Sequence, residues 1–164
     1  MIREIFEKEI LVFGCGNVLF GDDGFGPGVI AHLKERYPLP ENVAAVDVGT
    51  GIRNLLFDLL LFPVKPKQIF IIDAVCRESR QAGEIFELGI EELPVQKIND
   101  FSLHQFPSVN LLDELKNAAG INVRVLAAQV EEIPAEVRPG ISQAVGAAIP
   151  KACGWILKQL EGVS

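Results

Sequence analysis

The chain has 164 residues, 49% of them hydrophobic, and its 22 acidic against 15 basic side chains give a formal charge of -7. That length suits one domain, 1–164, with enough core to dispense with disulfides or a structural metal, and the acid excess leaves no electrostatic footprint for a nucleic-acid backbone. The longest apolar stretch, Leu55 to Val64, contains Asp58 and Pro63 and falls well short of the roughly 20 residues of a membrane span.

The opening residues mix acids with apolar residues and offer neither an uninterrupted hydrophobic run nor a small-residue cleavage site, so export is not expected. Three cysteines, Cys15, Cys76 and Cys153, with no CxxC spacing, argue against a disulfide framework or a thiolate zinc site. A reducing cytoplasm fits best.

Ile10 to Phe13 is a short apolar run ended by glycine, the mark of a strand buried on both faces. A helix follows; Pro27 belongs in its first turn, which places its start between Asp23 and Gly26. Val43 to Val48 predicts a second strand and Gly49-Thr50-Gly51 its turn. From Ile52 to Phe62 the spacing is helical, with Ile52, Leu55, Leu56, Leu59 and Leu60 on one stripe. Phe57 and Leu61 project from the opposite face, covered by a neighbouring loop or serving as a docking patch for a protein partner.

Gln68 to Ile72 reads as a third strand ended by Asp73. Gly83 to Leu88 reads as a shorter antiparallel edge strand, because only a loop separates it from the third. A helix runs from Pro107-Ser108 through Ala119 and closes at Gly120. Ile121 to Ala127 alternates as a strand, and Ile141 to Leu160 is helical, with Pro150 implying a kink or break. This alternation predicts an α/β three-layer sandwich: a mostly parallel twisted sheet, helices on both faces, and one antiparallel edge strand. Ligands in such sheets gather at the carboxyl ends of strands, which singles out Asp22, Asp23, Thr50 and Asp73.

The loop from Gly14 to Gly26 contains five glycines around Asp22 and Asp23. A dinucleotide fingerprint from Gly14 needs glycine where Leu19 stands, and a Gly-Lys-Ser/Thr tripeptide is absent, so both phosphate templates fail. One aspartate suffices to cap the helix start, the role expected of Asp22; the second is free to bind a cation or act as a base. Asp73, where a buried strand emerges, must be paired, hydrogen-bonded or metal-bound, or else caps the turn that follows. His104 falls in a loop before a helix, and His32 on an amphipathic helix is read as solvated. If they converge, Asp23, Asp73 and His104 form a mixed oxygen and nitrogen set suited to nickel, zinc or iron, with positions open for substrate. No GxSxG elbow or HExxH motif is present, and Cys15 between glycines reads as a small turn-filling residue.

The block Gly14-Cys-Gly-Asn-Val-Leu-Phe-Gly-Asp-Asp-Gly-Phe-Gly26 resembles the N-terminal signature of the nickel-iron hydrogenase maturation endopeptidases, roughly G-x-G-N-x-L-x-x-D-[DE]-G-x-G. Asp47-Val-Gly-Thr-Gly51, the strand ending Ile-Ile-Asp73-Ala and Leu103-His104-Gln105 match further blocks in order. The overall character is most similar to the branch serving deazaflavin-reducing hydrogenases of methanogenic archaea. The resemblance implies a cytoplasmic endopeptidase that removes a C-terminal extension from the hydrogenase large-subunit precursor after nickel insertion. Its metal-contacting residues fall on Asp23, Asp73 and His104, which would also be the catalytic set, with nickel carried by the substrate and no organic cofactor. Many relatives carry glutamate where this chain has Asp23. The alternative is a non-catalytic metal- or nucleotide-binding module built on the same loops.

Overall fold

The apolar runs assemble into one five-stranded sheet in the order β2-β1-β3-β5-β4. This computed structural model describes residues 2–89 and 109–162. Its strands are β1 (Ile10–Cys15), β2 (Val43–Gly49), β3 (Gln68–Val75), β4 (Ile85–Leu88) and β5 (Asn122–Gln129). Every neighbouring pair is parallel except β4 with β5, which is antiparallel. The three-layer α/β sandwich with one antiparallel edge strand is therefore the observed architecture.

Pleat parity divides the core. Leu11, Phe13 and Cys15 on β1, Ile69, Ile71 and Val75 on β3, and Val123, Val125 and Ala127 on β5 face one side. There they meet α1 (Ile2–Phe6), α3 (Ile52–Leu61) and α4 (Val109–Asp113). The alternate residues, including Val12, Phe70, Ile72, Leu126 and Ala128, face α2 (Phe25–Arg36) and α5 (Gln143–Gly162). Both faces of the central strands are thus dry, which is why these strands are continuously apolar rather than alternating. Cys153 on α5 ties into α2, its thiol donating to the Val29 carbonyl at 3.5 Å; burial pushes that thiol up to about 11.

The edge strand β4 is locked by Arg124. Its guanidinium makes a forked pair with Glu87, at 2.6 and 3.0 Å, and donates to Gln159 on α5 at 2.8 Å. It also lies 5.0 Å from the centre of the Trp155 ring. One side chain therefore joins two strands and a helix.

Three local expectations need correction, and one element is new. Helix α4 covers only the start of the predicted 108–119 span and passes into a wide π turn over Glu114–Ala118, closed by Ala119 donating to the Glu114 carbonyl at 3.1 Å. Pro150 does not break α5, which runs unbroken from Gln143 to Gly162. Pro150 is exposed and Gly146, whose carbonyl loses its helical donor, is only half-buried, so the missing bond falls where solvent can replace it. His32 is half-buried rather than solvated. The short helix α1 was not anticipated, since five residues are too few to show a period.

Candidate functional site

Helix α2 reaches the sheet backbone to backbone at the carboxyl ends of β1 and β3. A Cβ at Gly26 would lie 2.5 Å from the Cys15 amide nitrogen and 2.6 Å from the Ile72 carbonyl oxygen. Only glycine allows this approach. Gly16 has a φ of 134°, and a Cβ there would overlap the Asp23 carbonyl. These glycines press a short 3-10 turn, Gly21–Gly24, down beside β3.

That turn carries Asp22 and Asp23, each only 1% exposed, and Asp73 on β3 is 2% exposed. Three carboxylates thus lie buried at the carboxyl end of the sheet, two in the turn and one on β3. Asp23 Oδ2 accepts from the Asn17 amide at 2.8 Å. Asp73 Oδ1 accepts from the Ala74 amide at 2.8 Å. Each carboxylate accepts a hydrogen bond from a backbone N–H, which offsets part of the cost of burying it. The glycine loop spends its donors internally, on Asp23 and, through Gly16, on the Gly49 carbonyl at 2.9 Å. That use runs against a phosphate cradle, which needs the same N–H groups pointing outward.

Asp73 is not the residue after a strand, as expected, but lies within one. The strand β3 continues to Val75, with Asp73 in register with Ala127 of β5. By pleat parity Asp73 shares the face of Ile71 and Val75, the face that α3 and α4 cover.

Asp22 departs furthest from its expected role. No side chain caps the turn that contains it. Instead Asp22 Oδ1 accepts from the Ser142 amide at 2.7 Å, and Oδ2 accepts from the Glu131 amide at 2.8 Å, the Glu132 amide at 3.3 Å and the Ser142 hydroxyl at 3.0 Å. Ser142 in turn caps α5, its Oγ accepting from Val145 N–H at 3.4 Å. Asp22 therefore complements a helix N-terminus, but that of the last helix rather than the adjacent one.

Among the described residues no group of three His, Cys, Asp or Glu side chains is gathered to hold a metal ion. His104, the third member of the expected set, lies outside the described residues. The structure brings the Asp23 turn and the Asp73 strand together, and two buried carboxylates of that kind suit a hard or borderline divalent cation. Cys15 is the last residue of β1 and is buried among the apolar residues of the α3 face, so it fills core rather than the turn expected of it.

Sequence reasoning did not anticipate Gln129, which is 5% exposed at the end of β5. Its Oε1 accepts from the Arg77 amide at 2.7 Å and so pins the chain leaving β3. A polar residue closing an apolar strand was the available signal.

Beside the Asp23 turn runs an apolar groove of about 550 Å³, lined by Val18, Leu19, Pro27, Ala31, Ile141 and, at one end, Asp47. Val18 and Leu19 are 53% and 45% exposed. On α3, Phe57 is 50% and Leu61 85% exposed. No helix among the described residues is long and apolar enough to cross a membrane.

Comparison with known proteins gives consistent results. The family model described as hydrogenase maturation protease matches residues 27–159. Coenzyme F420 hydrogenase subunit delta of Methanothermobacter thermautotrophicus is 36% identical over 163 residues, 97% of this chain and 98% of that protein. It agrees with the methanogen branch that the sequence resembles. Hydrogenase 2 maturation protease of Escherichia coli is 30% identical over 93% of this chain and 90% of its own length. The solved hydrogenase maturating endopeptidase HybD of Escherichia coli superposes with a TM-score of 0.70 at 28% identity, covering 94% of this chain and 93% of its own.

Proposed function

The chain belongs to the hydrogenase maturation protease family, and from that premise we propose that it removes a C-terminal extension from the nickel-loaded precursor of a nickel-iron hydrogenase large subunit. The observation that carries the reading is the burial of Asp23 and Asp73 on adjoining elements at the carboxyl end of the sheet, each held by a backbone N–H. Such carboxylates are preorganised to receive a cation that arrives from outside. Nickel comes with the precursor, and Asp23, Asp73 and His104 grip it.

Recognition through the cargo makes binding a test of maturity: a precursor lacking nickel loses its strongest contact and fails to seat its scissile bond. A seated metal supplies Lewis acidity toward the peptide carbonyl or a bound water. Asp23 or Asp73 then serves as the base that takes the proton of the attacking water. The groove along Val18, Leu19 and Ile141 receives the chain flanking the scissile bond, and Phe57 with Leu61 docks the large subunit. The relatives in methanogens direct the choice of partner toward a deazaflavin-reducing hydrogenase, and the setting is cytoplasmic.

The deciding experiment incubates the protein with nickel-loaded and nickel-free precursor and weighs the products by mass spectrometry. Shortening of the loaded precursor alone is the expected result. No shortening in either tube removes the protease reading, and equal shortening in both removes the role of nickel in recognition.

A further inference from the structure

We propose that Asp22 is a positioning residue for Asp23, acting by fastening the 3-10 turn to the strap between β5 and α5. This rests on the reading of Asp23 given above. Asp22 accepts four hydrogen bonds from Glu131, Glu132 and Ser142 and is 1% exposed. The same strap is stitched to the glycine loop on the near side of the turn. The Arg138 amide donates to the Leu19 carbonyl at 2.8 Å, and the Gly21 amide donates to the Arg138 carbonyl at 2.9 Å.

The turn is thereby held at Gly21 and at Asp22, and the next residue is Asp23. Its own amide donates to the Phe20 carbonyl at 3.0 Å, and its carboxylate reaches back to the Asn17 amide at 2.8 Å. Without the Asp22 anchor the backbone between Gly21 and Gly24 is free to rotate about the glycines that flank it. A carboxylate meant to meet a reacting centre tolerates little such displacement. Two adjacent aspartates thus divide the work: the first fixes the frame, the second faces the substrate.

The test uses the full chain with Asp22→Asn and, as the milder change, Ser142→Ala, which deletes one of the four bonds together with the cap on the Val145 N–H. Amide hydrogen exchange by NMR reads the Asn17 N–H, a direct reporter of where the Asp23 carboxylate sits. Steady-state cleavage of nickel-loaded precursor reads kcat and KM separately. In Asp22→Asn the Asn17 amide should exchange at least about 10-fold faster, and kcat should fall about 10- to 100-fold with KM within about threefold. Ser142→Ala should move both readouts the same way by a smaller factor, and Ser142→Thr, which keeps the hydroxyl, should restore them. Should Asp22→Asn not fold, the two Ser142 variants decide the matter alone.

Loss of protection confined to the Glu131 and Ser142 amides, with Asn17 and kcat unchanged, overturns the proposal and leaves Asp22 a local staple. A wild-type chain that does not cleave precursor removes the protease reading instead, and the Asn17 amide still reports whether Asp22 positions Asp23.

Discussion

Replacing Gly26 by alanine tests how tightly the first turn of α2 is set against the sheet. The added methyl would lie 2.5 Å from the Cys15 nitrogen and 2.6 Å from the Ile72 oxygen, where ordinary contact begins at 3.4 Å. The Cys15 carbonyl oxygen lies closer still, so the helix end must retreat by more than the 0.9 Å that separates 3.4 from 2.5 Å. None of these obstacles is a side chain that can turn aside; all three are main-chain atoms of central strands. Overpacking of this kind costs about 3 kcal/mol, offset by about 1 kcal/mol from the better helix propensity of alanine. The net loss of about 2 kcal/mol corresponds to a Tm lower by roughly 4–8 °C for a chain of this size.

Two other glycines calibrate the measurement. Gly154 on α5 has nothing within 4 Å of the place an added methyl would take, so Gly154→Ala should raise Tm by roughly 2–4 °C through helix propensity alone. At Gly28 the nearest atom is the Ile149 Cδ1 tip at 2.9 Å, which can rotate away, so Gly28→Ala should be near neutral. Thermal melts of the three variants by circular dichroism give the order Gly154→Ala, Gly28→Ala, Gly26→Ala from most to least stable. Because Asp23 lies three residues before Gly26, cleavage by Gly26→Ala should fall about 100-fold, as a displacement near 1 Å commonly produces. A Gly26→Ala variant that melts with Gly154→Ala and cleaves like wild type would refute the backbone contact as the device that sets the site.

Asp23→Asn and Asp73→Asn should each lower precursor cleavage by more than about 100-fold with melts close to wild type, since an amide oxygen still accepts the Asn17 or Ala74 N–H; His104→Ala should do the same, and normal cleavage by all three would discard the set. The hydrogen bonds from Arg124 hold Glu87 below the usual carboxylate range, and this outweighs the opposing effect of burial. A folded pKa below the unfolded one gives stability that is present above the unfolded value of 4.5 and is lost as pH falls through the folded value. Arg124→Met should therefore cost about 1 kcal/mol at pH 7, with the partly exposed ion pair discounted for screening and the Trp155 contact included, and less at pH 3. Equal deficits in urea titrations at both pH values would assign the effect to packing alone. The Cys153 thiol, pushed up to about 11 by burial, should resist an aromatic disulfide reagent at pH 8 until denaturant is added, and prompt labelling of the folded chain, read by mass spectrometry, would contradict its burial.

The strands were legible because a strand dry on both faces leaves an apolar run that no other element of that length requires, as in Ile69 to Ile72. Their ends were less so. Asp73 reads as the end of β3 because charge ordinarily marks a surface, yet pairing with β5 carries the strand on to Val75 and the Ala74 amide satisfies the acid locally. The catalytic candidates were proposed from their loops, with capping assigned to Asp22 and the cation to Asp23, but the helix that Asp22 serves was not legible. Both are aspartates in one turn, and what distinguishes them is a partner at Ser142, 120 residues away. Capping chemistry was the right expectation for Asp22; no local pattern identifies the distant helix it serves.

That distance also orders events in time. A chain extended only through β5 already contains both aspartates and four parallel strands, yet the groups that fix their turn have not arrived. Closing a loop of 120 residues costs about 4 kcal/mol of chain entropy, which the docking of α5 against α2 must first overcome. The turn therefore takes its final shape late, after the last helix is in place. An incomplete copy of this chain that ends at β5 lacks the Glu131, Glu132 and Ser142 groups that hold Asp22.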